Sequence, residues 1–214
     1  MPQEWDGIVS RHINRKLSRP IARFLAKYPS ITPNHATIIS FAVSLTSAFS
    51  FPLLHPAIGG ILAQLASILD GVDGDLAVIT NRTSAFGGFL DTMLDRYSDV
   101  AILAGMIWYM LIIDGWNPTK TLVGILALAG SLLVSYSRAR AKSDLGIVFR
   151  VGVSGYAANR DVRLFIIMIG GILNQIFWTL LAIAILTNFT VFVRMWNVWR
   201  TLKGRADVDD AGNS

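Results

Sequence analysis

Between residues 70 and 99 the chain reads DGVDGDLAVITNRTSAFGGFLDTMLDRYSD, with aspartate at positions 70, 73, 75, 91, 95 and 99. Asp70 and Asp73 are three apart, and Asp91, Asp95 and Asp99 follow at intervals of four. On helices, each set shares one face, and the short connection around Thr80 to Ala85 is expected to make the two helices antiparallel neighbours whose acidic faces converge. Gly71 and Gly74 accompany the first set, Gly87 and Gly88 the second. Without side chains they admit a ligand or a second backbone at close range. Gathered carboxylates are the hard oxygen ligands that hold Mg²⁺ or Mn²⁺. Four of them, Asp70, Asp73, Asp91 and Asp95, match two divalent cations in charge, and a pair of such ions is a recurring device for phosphoryl transfer. Helix-end charge facing water accounts for one or two aspartates, such as Asp75 or Asp99. It leaves glycine-flanked pairs on both helices unexplained.

The elements that must position these aspartates are hydrophobic. The chain has 214 residues, 53% of them hydrophobic and 15% charged, with a mean hydropathy of +0.51; soluble domains carry roughly 25% charged residues. Stretches from 36 to 54, 57 to 69, 100 to 113, 121 to 136, 162 to 173 and 176 to 196 are apolar. A spanning helix needs about 20 such residues, so the second and third must extend into the aspartates. The expectation is an all-α integral membrane protein with six transmembrane helices. A carboxylate at the bilayer centre costs roughly 2.5–3.5 kcal/mol on insertion scales. Four would cost on the order of 10 kcal/mol, comparable with a whole protein's stability. Arg82 and Arg96 are the only nearby cations in sequence, which again favours metal ions as the compensation.

Basic residues orient the chain. Arg11, Arg15, Lys16, Arg19, Arg23 and Lys27 precede the first span, Arg82 follows the second, and Arg138, Arg140, Lys142, Arg150 and Arg160 lie between the fourth and fifth. Arg200, Lys203 and Arg205 end the series, and the opposite loops hold little beyond Lys120. Cytoplasmic loops are enriched in such residues. The expectation is therefore a multi-pass protein of the cell membrane with both termini and the acidic site on the cytoplasmic side. That topology, with attraction to anionic headgroups, explains the basic excess without a nucleic-acid partner. Cysteine is absent, which excludes disulfides and thiolate metal sites, and no cleavable signal peptide is visible.

The chain reads as one domain without repeats. Residues 1–34 form an amphipathic juxtamembrane segment: Ile8, Ile13, Leu17, Ile21 and Leu25 recur near helical period among basic residues, as in a helix lying in the membrane interface. A bend or break is expected near Pro20. Ser30 to Asn34 make a turn, with Thr32 or Asn34 capping the next helix. Residues 35–200 carry the six-helix domain. Residues 201–214 form a polar tail expected to be disordered.

Asp70, Asp73, Gly74, Ala77, Gly87, Asp91 and Asp95 occupy seven of the eight positions in the pattern D-x2-D-G-x2-A-R-x8-G-x3-D-x3-D, with every spacing kept. That pattern resembles the CDP-alcohol phosphotransferases, and the likeness to their six-span organisation with a basic interfacial helix extends over most of the chain. The resemblance implies that Asp70 and Asp91 bridge two metal ions, Mg²⁺ or Mn²⁺, that Asp73 binds one and Asp95 the other, and that Asp95 is the general base. It implies a CDP site at Gly74, Ala77, Gly87 and Ser84 and at Pro33, Asn34 and Thr37. The family arginine after the alanine is Val78 here. Arg82, one helical turn on, is expected to substitute for it; altered substrate preference or an inactive member are the other readings.

Two basic stretches bear on the acceptor. Arg138, Arg140 and Lys142 end the fourth span, and Arg160 and Arg163 begin the fifth. Arginine grips phosphate with paired hydrogen bonds, and a charge inside a span needs a reason, so a phosphorylated acceptor is expected; topogenic charge beside headgroups is the plainer account. The opening DGIVSRHINRKLSRPIARFL, ITPNHAT and NRDVRLF look most like the membrane domain of di-myo-inositol phosphate phosphate synthases. That likeness implies transfer from CDP-inositol to inositol 1-phosphate with release of CMP, a homodimer, and a cytidylyltransferase that is fused in many relatives; this chain reads either as a stand-alone form or as the partner of a separately expressed cytidylyltransferase. The alternative is a phospholipid synthase taking CDP-diacylglycerol or CDP-archaeol, with inositol phosphate or glycerol phosphate as acceptor. A divalent-cation transporter would need polar residues through the full membrane depth, whereas these acids cluster at one end. A purely structural membrane protein leaves them without a purpose.

Overall fold

A computed structural model describes residues 9–149 and 158–212, with side chains described as far as Lys203. Ile8 and Arg150, both used above, lie outside the described residues. Among the described residues every regular element is a helix: a wide π-helical turn at Ser10–Asn14, then α1 (Arg15–Leu25), α2 (Pro33–Ser50), α3 (Pro56–Ile79), α4 (Ala85–Asp114), α5 (Pro118–Leu145), α6 (Arg160–Ile172) and α7 (Ile176–Gly212).

Local chemistry sets the boundaries. Thr32 caps α2: its hydroxyl accepts from His35 N at 3.4 Å while His35 Nδ1 accepts from Thr32 N at 3.3 Å, a reciprocal pair that satisfies two orphan donors. Ser84 caps α4 through Gly87 N at 3.0 Å, and Asn117 caps α5 through Lys120 N at 3.1 Å. Pro33, Pro56 and Pro118 open α2, α3 and α5, where a missing N–H costs nothing. Asn81 turns left-handed (φ 54°) just past α3, so the chain reverses there and Thr80 to Ser84 form the short connection the sequence predicts.

α2 packs against both α3 and α4, α3 against α1 and α6, and α5 against α7. The shared core includes Phe51, Ala63, Ile102, Met106, Leu164, Leu180 and Ile183. Glycine permits the closest crossings. A Cβ on Gly105 would lie 2.2 Å from the Ala48 carbonyl oxygen, and one on Gly60 would lie 2.9 Å from that of Met168.

Three expectations change. α3 and α4 are not packed neighbours along their length; α2 lies against both, and only their acidic ends converge. The short connection between them constrains one end and leaves the other free to diverge. α1 runs unbroken through Pro20: a proline in the middle of the helix forfeits one hydrogen bond to the preceding turn, and packing on α3 holds the helix together. The stretch expected to be disordered continues as helix to Gly212. Among the described residues, three helices are long and apolar enough to cross a membrane on their own: α4, α5 and α7 from Ile176 to Lys203. α6 has 13 residues and α3 carries three aspartates in its last turns. Phe49, Trp108, Leu122, Trp178, Ile185 and Phe192 are all more than half exposed, a spread of apolar surface that suits lipid better than water.

Candidate active site

The acidic end of α3 meets the start of α4. Asp70, Asp91 and Asp95 bring one carboxylate oxygen each to within 4.8 Å of one another. Asp91 Oδ1 is buried and has no hydrogen-bond partner. An orphaned buried acceptor among converging carboxylates is what a divalent cation would satisfy, so the residues present fit a metal site. Asp73 stands beside this trio, 8% exposed, and accepts from Thr37 Oγ1 at 2.5 Å.

Arginine from α6 enters the same cluster. Arg160 Nη1 lies 3.0 Å from Asp70 Oδ1 and 3.0 Å from Asp95 Oδ1, and its Nε lies 3.4 Å from Asp99 Oδ1. Arg163 Nη2 reaches Asp99 Oδ2 at 2.5 Å, and its Nη1 donates to the Ala158 carbonyl at 2.8 Å. Arg96 lies 3.3 Å from Asp95 and donates to Ser135 Oγ. Buried carboxylates and buried guanidiniums thus neutralise each other, as low dielectric requires.

Three cavities open onto the aspartates. The first, about 280 Å³, is lined by Pro33, Asn34, Thr37, Gly74, Ala77, Arg82, Ser84 and Gly87, every residue named for the CDP site, together with Val78, Gly88, Asp73 and Asp91. A Cβ on Gly74 or Gly88 would meet nothing within 4 Å, so both glycines leave open space there. The second, about 580 Å³, is lined by Arg138, Lys142, Arg160 and Arg163, with Asp70, Asp91 and Asp95 at its acidic edge. The third, about 210 Å³, lies between the N-terminal segment, α3 and α6.

Two residues are placed differently from expectation. Arg140 is absent from the second cavity's lining; 59% exposed, it pairs with Asp144 at 2.7 Å one turn along α5. Two positions after Arg138, it is carried round to another face. Arg82 does not continue the α3 face, because the helix ends at Ile79. It reaches the first cavity from the turn, with Nη1 donating to the Pro29 carbonyl at 2.8 Å.

Asp75 and Asp99 are not water-facing end charges. Asp75 accepts from Arg15 Nη1 at 2.7 Å and from Ser18 Oγ at 2.9 Å, which pins α1 to α3. Asp99 is 4% exposed and belongs to the arginine network. The sequence reading also passed over Arg194. It is 1% exposed within α7 and donates to the Val134 carbonyl at 2.5 Å and to Ser137 Oγ at 3.1 Å, fixing the end of α5 that carries Arg138. An arginine in an apolar span was the available signal.

Comparison with known proteins agrees with this geometry. Residues 30–196 match the CDP-alcohol phosphatidyltransferase family. The chain is 37% identical over 199 residues to a bifunctional IPC transferase and DIPP synthase of Aquifex aeolicus, covering 91% of this chain and 45% of that protein. It therefore spans less than half the length of that relative. It is 35% identical to an archaetidylinositol phosphate synthase of Pyrococcus horikoshii, covering 89% of this chain and 97% of the relative. Among solved structures, Mycobacterium tuberculosis phosphatidylinositol phosphate synthase with CDP-DAG bound superposes with a TM-score of 0.72 at 24% identity, over 86% of this chain and 94% of that one. The same enzyme in complex with manganese and citrate gives 0.70 at 24% identity, over 85% and 88%. The chain belongs to the CDP-alcohol phosphatidyltransferase family and is, accordingly, a transferase of substituted phosphate groups.

Proposed function

We propose that this protein transfers a phosphate-linked alcohol from a CDP-alcohol to a hydroxyl of an inositol phosphate, with CDP-inositol and inositol 1-phosphate as the substrates and di-myo-inositol phosphate phosphate as the product. The observation that carries this reading is the second cavity, where Arg138, Lys142, Arg160 and Arg163 face the same space as Asp95. A phosphorylated acceptor seated on those cations holds its hydroxyl toward the carboxylate. Pro33, Asn34, Thr37, Gly74, Ala77, Ser84 and Gly87 receive the cytidine end in the first cavity, and Arg82 supplies there the cation that Val78 cannot.

The acceptor oxygen attacks the phosphorus that bears the alcohol. A new O–P bond forms, the bond from that phosphorus to the bridging oxygen breaks, and CMP leaves with that oxygen. Asp95 takes the hydroxyl proton. Asp70, Asp73, Asp91 and Asp95 would hold two divalent cations, Mg²⁺ or Mn²⁺, and these supply charge neutralisation for the diphosphate. The chain crosses the cell membrane six times, with termini and site in the cytoplasm. α1 lies in the interface, where Leu17, Ile21 and Phe24 are 49%, 36% and 55% exposed while Ser18 and Ala22 are buried. A homodimer, and a cytidylyltransferase activity that makes the donor, complete the reading.

The lipid-donor reaction is the second reading, supported by the archaetidylinositol phosphate synthase and phosphatidylinositol phosphate synthase relatives. The test is CMP release by purified protein with Mg²⁺ and inositol 1-phosphate, from CDP-inositol or from CDP-diacylglycerol, with Asp95→Asn as control. CMP from CDP-inositol, lost in the variant, supports the proposal. CMP from the lipid donor alone establishes the second reading, and CMP from neither overturns both.

A further inference from the structure

We infer that the third cavity receives the alcohol part of the donor, and that Asn14 and Ser67 in its wall, held from behind by Gln64, select a hydroxylated alcohol over an acyl chain there. The inference rests on the transfer reaction proposed above. Three bodies must meet at the reacting phosphorus: the cytidine end, the acceptor and the donor's own alcohol. The first two have cavities of suitable chemistry. The third cavity touches Asp70, Asp73 and Asp91, so it reaches the same point from another side.

Its lining is unusual for a bundle this apolar. Beside the aspartates and Arg160 it consists of Ser10, Asn14, Arg15, Ser67, Asp161 and the backbone at Gly71 and Gly74, with no aliphatic or aromatic side chain among the described residues. Behind that surface the polar groups are tied together. Gln64 Nε2 donates to Asn14 Oδ1 at 2.8 Å, and Asn14 Nδ2 donates to Ser67 Oγ at 2.9 Å. Asn14, Gln64 and Ser67 are 2%, 6% and 6% exposed, and Gln64 Oε1 has no hydrogen-bond partner.

Burying polar side chains is costly unless they are hydrogen-bonded; Asn14 and Ser67 meet that condition through each other and Gln64 while keeping a face on the cavity. Apolar residues of similar shape would close the gap between the N-terminal turn and α3 at little or no cost. A hydroxylated ring uses such a surface well, because each hydroxyl both donates and accepts. An acyl chain laid on it would strip water from those groups and return no hydrogen bond. The volume, about 210 Å³, falls below the roughly 300–1,000 Å³ of pockets for drug-sized ligands and suits a single ring rather than a long chain.

The test compares wild type with Asn14→Phe, Ser67→Val and the milder Ser67→Ala, measuring kcat and KM for CDP-inositol and for CDP-diacylglycerol at fixed inositol 1-phosphate. Wild type is expected to use CDP-inositol. The variants should raise its KM about tenfold or more, with a smaller effect on kcat and an unchanged KM for inositol 1-phosphate. Inhibition by CMP, which reports the first cavity, should be unaltered and identifies folded variants. The inference is overturned if wild type turns over the lipid donor as well, or if folded variants keep the wild-type KM for CDP-inositol. If Asn14→Phe and Ser67→Val do not fold, Ser67→Ala decides on the same criterion. CMP from neither donor in wild type overturns the transfer reaction itself, a result distinct from either of these.

Discussion

Single side chains explain how so much negative charge is tolerated. Arg160 bridges Asp70, Asp95 and Asp99, so a guanidinium stands where an ion would also neutralise the cluster. Removing one partner of a buried pair leaves an uncompensated charge and costs roughly 3–5 kcal/mol. Arg160→Gln is therefore expected to lower Tm by about 5 °C or more in EDTA. Millimolar Mg²⁺ should recover most of that loss, as followed by thermal unfolding in detergent. A variant as stable as wild type in EDTA would mean that the pair contributes nothing. At the first cavity, Arg82→Ala should raise KM for the CDP donor about tenfold, the scale of one charge-assisted hydrogen bond, and leave kcat nearly unchanged; an unaltered KM removes Arg82 from the site. The metal-type aspartates were legible in the sequence because their spacing is local. The partners of Asp75 and Asp99 were not. Arg15 lies 60 residues from Asp75 and Arg163 lies 64 from Asp99, and no periodicity connects such pairs. The Asn14–Gln64–Ser67 trio was hidden for the same reason.

At the scale of elements, α2, α4, α5 and α7 begin within a few residues of where caps, prolines and hydropathy place them, while their packing order was not readable. A short turn between α3 and α4 suggested a packed pair, yet α2 contacts both. Hydropathy reports how apolar a helix is, whereas neighbour choice depends on small residues that let backbones approach. Gly105 against Ala48 is one such contact. Gly105→Val would force α2 from α4 and is expected to cost about 1–3 kcal/mol, seen as a fall in Tm with reduced yield of folded protein. A variant with wild-type Tm would show that this crossing has room to spare.

For the whole molecule, the proposed six-span topology puts α1, the Lys203 end of α7 and all three cavities on one side of the membrane, and the connection holding Lys120 on the other. The natural chain has no cysteine, so single replacements report position cleanly. Cysteine at His12, Arg82, Lys142 or Lys203 should react with an impermeant maleimide only after cells are opened, whereas cysteine at Lys120 should react in intact cells. Labelling of Lys142→Cys and Lys120→Cys from the same side would contradict the six-span topology.

The central claim is that the aspartates are gathered to hold divalent cations against a CDP-linked phosphate. Its most direct test is Mn²⁺ titration of purified protein by electron paramagnetic resonance in the presence of CDP-inositol, with CMP release followed on the same samples. Two bound ions are expected in wild type, with loss of at least one in Asp91→Asn, a parallel fall in CMP release, and no turnover in excess EDTA. Undiminished CMP release in EDTA, or Asp91→Asn binding Mn²⁺ like wild type, would contradict it.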